Sequence, residues 1–189
     1  QAGRAPLDES ELNALHDLAM RAVHALVGAV VDKQHELASF TGEDISHPAD
    51  SITNDVLTEY LAPSGIPILS EEGLPSRSEK DALSGLWWVV DPLDGSYNFW
   101  RGLPFYGTSV ALVHDNEPIL GVVSNLSTGD VYTGSIFREA RKNEYPLRVS
   151  TVEKLSEASL VTGVPVLTSK AAFSDNLIQQ GLAEIGKIR

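Results

Sequence analysis

The chain has 189 residues, 42% of them hydrophobic and 21% charged, which is enough for one large domain or one domain and part of another. Its formal net charge of −12 disfavours nucleic-acid backbones and anionic membranes as partners, so a phosphate-bearing ligand would need a cation or a local basic patch. The lack of cysteine excludes disulfides and thiolate chemistry, and no apolar run approaches the length of a membrane span.

The first predicted element is a helix over about Leu12–Val31, where apolar residues recur at helical spacing and form one wide stripe. Asp8 or Ser10 is expected to cap its N-terminus. His16 and His24 lie on or near this helix, and nothing pairs them with a third ligand at metal-binding spacing. We therefore interpret both as surface or boundary histidines.

The next stretch, Gln34–His47, is mixed in composition and is predicted to include a strand or a turn. A helix is predicted over Pro48–Leu61, ended by the turn residues of Ala62–Gly65. The short apolar run Ile66–Ser70 then predicts a strand, which leads directly into the acidic pair of Glu71–Gly73.

A second apolar run, Leu86–Val90, predicts a buried strand. It is predicted to stop at Asp91, because Pro92 cannot donate to a strand ladder and Gly95 adopts backbone angles closed to other residues. The result is a tight turn that carries two carboxylates, those of Asp91 and Asp94. Such a turn is often no more than a turn, and only a second acidic element raises the prospect of a site.

That second element is the end of the Ile66–Ser70 strand, where Glu71 follows. Two strands that each finish in acids can bring those acids together, and the repulsion between like charges is naturally offset by a cation. Oxygen ligands suit Mg²⁺, which also takes water and phosphate oxygens. The glycine of the turn, Gly95, allows backbone N–H groups to approach an anion.

Beyond the turn, three runs alternate in polarity and are separated by hairpin signals, so an antiparallel meander is predicted. The three runs are Tyr106–His114, Pro118–Leu126 and Asp130–Ser135.

The motifs S-E-E-G at 70–73 and D-P-L-D-G-S-Y-N-F at 91–99 resemble the two signature motifs of the inositol monophosphatase superfamily. Members are Mg²⁺-dependent, often lithium-sensitive phosphomonoesterases that frequently form dimers. The resemblance runs from the helix near Leu12 to Arg189. It leads us to expect that the chain lacks the C-terminal third, including a later W-D-x-A-A segment whose aspartate completes a second metal site.

The resemblance implies a layered α+β or α/β fold, in which an N-terminal helix pair packs on a mainly antiparallel sheet. It implies a metal-binding domain over residues 1–157 and the incomplete beginning of an α/β domain over residues 158–189. Four further elements are expected: a strand in Asn143–Ser150, a linker helix in Thr151–Ala158, a strand in Ser159–Pro165 and a helix in Phe173–Ile185.

For the site, the resemblance implies one Mg²⁺ held by Glu71, Asp91 and the backbone carbonyl of Leu93, and a second that shares Asp91 and uses Asp94. The hydroxyl of Ser96 would orient the attacking water. The expected substrate-binding residues are Glu71, Leu93, Asp94, Gly95 and Ser96.

The family also has a segment resembling S-x-V-T-x-x-D ahead of the first acidic strand. Ser51 and Thr53 match its start, but Asp55 follows Thr53 by two residues where the pattern requires three. The middle of the segment is also about two helical turns shorter than in the family. We therefore interpret Asp55 as an ordinary acid near a helix N-terminus.

The function expected from this resemblance is Mg²⁺-dependent hydrolysis of a small phosphate monoester, of the inositol 1-phosphate type, in the cytoplasm and with a possible homodimer. No membrane or nucleic-acid polymer is expected as a partner. Ser70 resembles the bisphosphate-nucleotidase branch instead, so a 3′(2′),5′-bisphosphate nucleotidase is one alternative. A degenerate relative that binds metal without turnover is another.

Overall fold

A computed structural model describes residues 7–38, 46–73, 84–160 and 187–188, with side chains described over 7–30, 49–72 and 84–159. The chain divides into two compact units, Gln1–Leu147 and Arg148–Arg189, each described by itself. The expected domain boundary between residues 157 and 158 stays a prediction.

Helix α1 spans Glu9–Ala38 and begins with a reciprocal cap. The amide of Glu11 donates to the carboxylate of Asp8 at 2.8 Å, and the amide of Asp8 donates to the carboxylate of Glu11 at 3.1 Å. This arrangement satisfies two backbone donors at the start of the helix. The cap is therefore Asp8 rather than Ser10. The expected strand or turn in Gln34–His47 is wrong over the part described, because α1 continues through Ala38.

Helix α2 spans Ser46–Leu61 and is followed by a 3-10 turn at Ala62–Ser64. It starts two residues earlier than predicted, since proline is tolerated in a first helical turn, where its missing N–H has no intrahelical acceptor anyway. Asp55 consequently lies in the middle of α2 and is exposed, rather than near the N-terminus as expected.

The first unit contains a seven-stranded sheet whose strands follow chain order from one edge to the other. Only the edge pair β1–β2 is parallel, and the remaining pairs are antiparallel. The strands are β1 (Ile68–Ser70), β2 (Leu86–Asp94), β3 (Gly107–His114), β4 (Glu117–Asn125), β5 (Asp130–Ser135), β6 (Arg141–Lys142) and β7 (Tyr145–Pro146). The predicted meander is thus confirmed as β3–β4–β5.

Helices α1 and α2 pack against each other and against the sheet, which confirms the predicted helix pair. Apolar side chains from both layers form one buried core, and burying each of them stabilises the fold by about 2 kcal/mol. Fully buried members are Val23, Leu26, Leu57, Leu61, Trp88, Leu112 and Val122. The indole N–H of Trp88 donates to the hydroxyl of Ser64 at 3.0 Å, which fixes the end of α2 to the sheet.

His16, which we interpret from the sequence as a surface or boundary histidine, is 7% exposed, so the surface alternative is wrong. Its Nδ1 lies 2.8 Å from a guanidinium nitrogen of Arg138, and its Nε2 lies 2.7 Å from the hydroxyl of Thr133. Because arginine can only donate, Nδ1 accepts and Nε2–H donates to Thr133. Burial lowers the pKa of His16, and the carboxylate of Asp17, 3.4 Å from Nδ1, acts in the opposite direction because it favours the protonated ring. This polar network joins α1 to β5.

Within the second unit, β8 (Ser159–Leu160) pairs in parallel with β9 (Lys187–Ile188). The linker helix expected in Thr151–Ala158 is reduced to a 3-10 turn at Leu155–Glu157. The helix expected in Phe173–Ile185 lies outside the described residues, as does most of the strand expected from Ser159. No helix in the described part of the chain is long and apolar enough to cross a membrane.

Candidate metal and phosphate site

Strand β2 does not stop before Asp91 as predicted but continues through Asp94 over a β-bulge. Asp91 pairs with Ser109 and Asp94 pairs with Gly107, so two residues of β2 face the single residue Thr108 of β3. The hydroxyl of Thr108 donates to the carbonyl of Asp91 at 3.1 Å and secures the start of this irregularity. Bulges of this kind redirect side chains beside functional sites.

The bulge has a direct consequence for the two carboxylates. In a regular strand, residues three positions apart point to opposite faces of the sheet. Here the bulge compensates for the odd spacing. The partners Ser109 and Gly107 are two positions apart on β3 and therefore lie on one face of the sheet. Asp91 and Asp94 therefore leave the sheet on the same face.

The parallel pairing of β1 with β2 adds a third acid. Ser70 lies opposite Val90, so the residues that follow them, Glu71 and Asp91, leave the two strands side by side. Burial, the charges of Glu71 and Asp94, and a hydrogen bond shared with Glu71 together raise the pKa of Asp91 to about 6. A hydrogen bond from the Leu93 amide acts in the opposite direction.

After the bulge, Gly95 turns the chain into the short helix α3 (Ser96–Trp100). Its φ is +81°, and a Cβ at this position would lie 2.7 Å from the carbonyl oxygen of Phe105. The side chain of Asn98 donates to that same carbonyl at 2.8 Å and holds the returning loop in place. Only glycine fits here, and the turn presents the half-buried Ser96 directly after the acids.

One acid near this region was missed by the sequence patterns. Asp50 lies on α2, is 6% exposed, and is the only fully buried carboxylate among the side chains that the structure describes. Helix α2 contacts β2, the 3-10 turn at Glu71–Gly73, and α3. Matching the S-x-V-T-x-x-D pattern to Ser51 directed attention to the exposed Asp55. The useful signal was burial of a charged group, which requires strong partners and marks candidate functional acids.

The oxygen donors present suit a hard divalent cation. Glu71 and Asp91 are in contact and Asp94 is within electrostatic reach, while Mg²⁺ commonly uses only one or two carboxylates and completes its shell with water and phosphate. Within the described residues, no three His, Asp or Glu side chains form a ready-made metal cage. The roles expected for Glu71, Asp91, Leu93 and Asp94 therefore stay predictions.

The arrangement of helices and sheet is shared with solved structures of a single fold class. The SuhB protein of Bartonella henselae superposes with a TM-score of 0.78 at 24% identity, covering 93% of this chain and 69% of that one. Inositol monophosphatase-II of Staphylococcus aureus superposes with a TM-score of 0.77 at 20% identity, covering 93% and 65%. At these identities the likeness shows the fold.

The chain belongs to the inositol monophosphatase family, whose profile matches residues 8–185. It is 33% identical over 159 residues to an inositol-1-monophosphatase of Rhizobium meliloti, covering 82% of this chain and 59% of the relative. It is 28% identical over 182 residues to the Nus factor SuhB of Pasteurella multocida, covering 89% and 66%. The chain thus spans about six tenths of the length of these relatives, and the expectation that it is shorter than family members is confirmed.

Proposed function

We propose that this protein catalyses Mg²⁺-dependent hydrolysis of a small phosphate monoester of the inositol 1-phosphate type. The observation that carries the proposal is the contact of Glu71 with Asp91 across the parallel β1–β2 pair, with Asp94 brought to the same face by the bulge in β2. Family membership supports the same reaction class. Acids gathered on one surface suit a ligand that brings positive charge of its own.

The cation would be held by Glu71, Asp91 and the backbone carbonyl of Leu93, with Asp94 serving a second cation that shares Asp91. When bound, Mg²⁺ supplies charge that polarises the phosphate ester and favours a nucleophilic water. The protein residues supply the geometry. The bulge sets the direction of both aspartates, and the parallel pairing of β1 with β2 brings Glu71 beside Asp91.

The turn that follows supplies contacts to phosphate. The backbone N–H groups of Gly95 and Ser96 stand at the start of α3, where the first amides have no intrahelical acceptor and can donate to phosphate oxygens. The hydroxyl of Ser96 would orient the attacking water. We add Asp50 to this set as a candidate proton acceptor, since it is a buried acid on α2, a helix that contacts α3.

Two alternatives lead to different outcomes in one assay. The nucleotidase alternative rested on Ser70, but the hydroxyl of Ser70 is buried and donates to Asn54, so it is engaged within the protein. Lithium sensitivity, a homodimer, a cytoplasmic location and the lack of a nucleic-acid partner belong to the same proposal.

The test is phosphate release by the purified chain with Mg²⁺, supplied in parallel with inositol 1-phosphate and adenosine 3′,5′-bisphosphate. We expect turnover of inositol 1-phosphate, its loss when the metal is chelated, and inhibition by lithium. Preferential turnover of the bisphosphate would establish the nucleotidase alternative. Folded protein that binds Mg²⁺ but turns over neither compound would establish the non-catalytic alternative.

A further inference from the structure

A partly buried hydrogen bond lies at the acidic end of β1. The hydroxyl of Ser70 donates to the side-chain oxygen of Asn54 at 2.6 Å, and Ser70 is 8% exposed. Ser70 is the last residue of β1, and Glu71 is the next residue of the chain. The bond therefore ties helix α2 to the backbone from which the Glu71 side chain leaves.

The strand itself gives Glu71 little support. β1 contains only three residues and lies at the edge of the sheet, so β2 is its only neighbouring strand among the described ones. An edge strand is held by ladder hydrogen bonds on one side only, and three residues provide few of them. A second attachment at Ser70 restrains the strand where Glu71 begins.

The other end of the bond lies on α2, the helix that carries the buried acid Asp50. Asn54 follows Asp50 by four residues on α2, so the two side chains lie on the same helical face, one turn apart. The hydrogen bond thus links the element that carries Asp50 to the element that carries Glu71. It fixes the spacing between two acids contributed by different parts of the chain.

The packing of α2 does not depend on this bond. Leu57 and Leu61 are fully buried in the core, and Ser64 provides a separate polar attachment to Trp88 on β2. Loss of the Ser70 hydroxyl would therefore leave the helix in place and release chiefly the end of β1. This is the behaviour of a positioning contact rather than of a folding determinant.

We propose that Ser70 and Asn54 are positioning residues that set the placement of Glu71 for divalent-cation binding. The inference rests on the proposed function and deepens it, since it assigns a role to Ser70, which was first noted only as a mark of another branch. Partners behind metal ligands commonly change metal affinity or activity by roughly 10–100-fold when they are removed.

The experiment compares Ser70→Ala with Ser64→Ala, which removes the other serine hydroxyl that ties this end of α2 to the sheet. Mg²⁺ affinity is measured by titration calorimetry without substrate, and stability by urea unfolding without metal. We expect Ser70→Ala to weaken Mg²⁺ binding roughly 10-fold and Ser64→Ala to leave it unchanged. Ser70→Thr, which keeps a hydroxyl, should restore most of the affinity.

Kinetic constants provide a second measurement. In Ser70→Ala and Asn54→Leu, the Mg²⁺ concentration for half-maximal phosphate release should rise, while the rate at saturating Mg²⁺ falls much less. If both serine variants alter unfolding alone and bind Mg²⁺ like the wild type, the bond is structural and the proposal is wrong. If the wild type itself binds no Mg²⁺, the proposed function fails and this inference fails with it.

Discussion

Two acids of the same sheet, Asp91 and Asp130, have opposite surroundings. Asp130 accepts from Lys142 at 2.8 Å, from Asn143 at 3.0 Å and from Thr128 at 3.1 Å. The hydrogen bond from Lys142, followed by that from Asn143, lowers the pKa of Asp130. Asp91 lies beside other carboxylates, and burial and their charges raise its pKa.

The surroundings of Asp130 favour its charged form and so stabilise the fold, whereas the surroundings of Asp91 disfavour its charged form. Donors around Asp130 favour its ionised form in the folded state, which is the usual arrangement of a strand-corner acid. The neighbours of Asp91 disfavour its ionised form, so its placement is not explained by stability. Acids that the fold holds against their own repulsion are the stronger candidates for ligand binding.

The largest expected effect is a loss of activity on substitution of an acid beside Asp91. Asp94→Asn removes a proposed cation ligand while keeping the shape of the side chain, and we expect Mg²⁺-dependent phosphate release to fall by roughly 100-fold or more. Initial rates at saturating Mg²⁺ measure this. A variant that retains the wild-type rate would remove Asp94 from the metal site.

The second prediction compares two glycines with positive φ, Gly95 next to Asp94 and Gly129 next to Asp130. Gly95→Ala places a Cβ 2.7 Å from a backbone oxygen, whereas at Gly129, with φ of +74°, nothing lies within 4 Å. Both substitutions carry the strain of a left-handed conformation, about 1 kcal/mol. The clash adds to this at Gly95, for a total of about 3 kcal/mol in the free energy of unfolding.

Urea unfolding of the two glycine variants provides the measurement, with each variant serving as the control for the other. Equal destabilisation would mean that the loop carrying Phe105 yields easily to a methyl group at Gly95. The Asn98 contact to the Phe105 carbonyl would then not hold that loop rigidly.

The third prediction concerns the buried network at β5 and its dependence on pH. The pKa of His16 is lowered in the folded state, so the unfolded chain takes up the proton first as pH falls. The contribution of His16 to stability is therefore full above its unfolded pKa of about 6.5 and declines as pH falls toward the lower folded value.

Substitution isolates the histidine from the many carboxylates that titrate in the same range. The stability difference between wild type and His16→Gln should shrink between pH 7 and pH 5, as followed by urea unfolding at each pH. A difference that stays constant across this range would show that His16 does not couple protonation to folding.

The smallest effect is expected at Asp130, whose negative charge faces Lys142. Asp130→Asn removes the charge that faces Lys142, at an exposed position where ion pairs contribute little. We expect a slight decrease in melting temperature and phosphate release at the wild-type rate. A loss of activity comparable to that of Asp94→Asn would show that the Asp94 effect reflects removal of a negative charge from the sheet rather than loss of a cation ligand.

The regular helices and strands could be predicted from the sequence because the spacing of their apolar residues matches the face that each element buries in the core. The stripe that begins at Leu12 and the alternating strands of the meander predicted α1 and β3–β5 closely. The end of β2 was misjudged because a bulge and a turn use the same residues, proline and glycine. What distinguishes them is the partner strand, which pairs with Asp94 beyond the proline.

The candidate site was predicted in part, for a related reason. Glu71 follows the end of β1, and Asp91 lies beside it on β2 because the two strands are parallel neighbours. Asp50 escaped notice because burial on a helix depends on what packs against it, which no short pattern encodes. His16 was misjudged similarly, since its burial depends on Arg138 and Thr133, which lie far away in the sequence.

The single extra residue of the β2 bulge also constrains how this segment can change over evolution. In the present sequence, Asp91 and Asp94 are three positions apart, and the bulge is what brings both carboxylates to one face. Exchanging Leu93 for another apolar residue keeps the bulge. Deleting Leu93 would leave the two acids two positions apart in a regular strand, still on one face, so the change would fall on the backbone around Leu93, whose carbonyl is a proposed cation ligand.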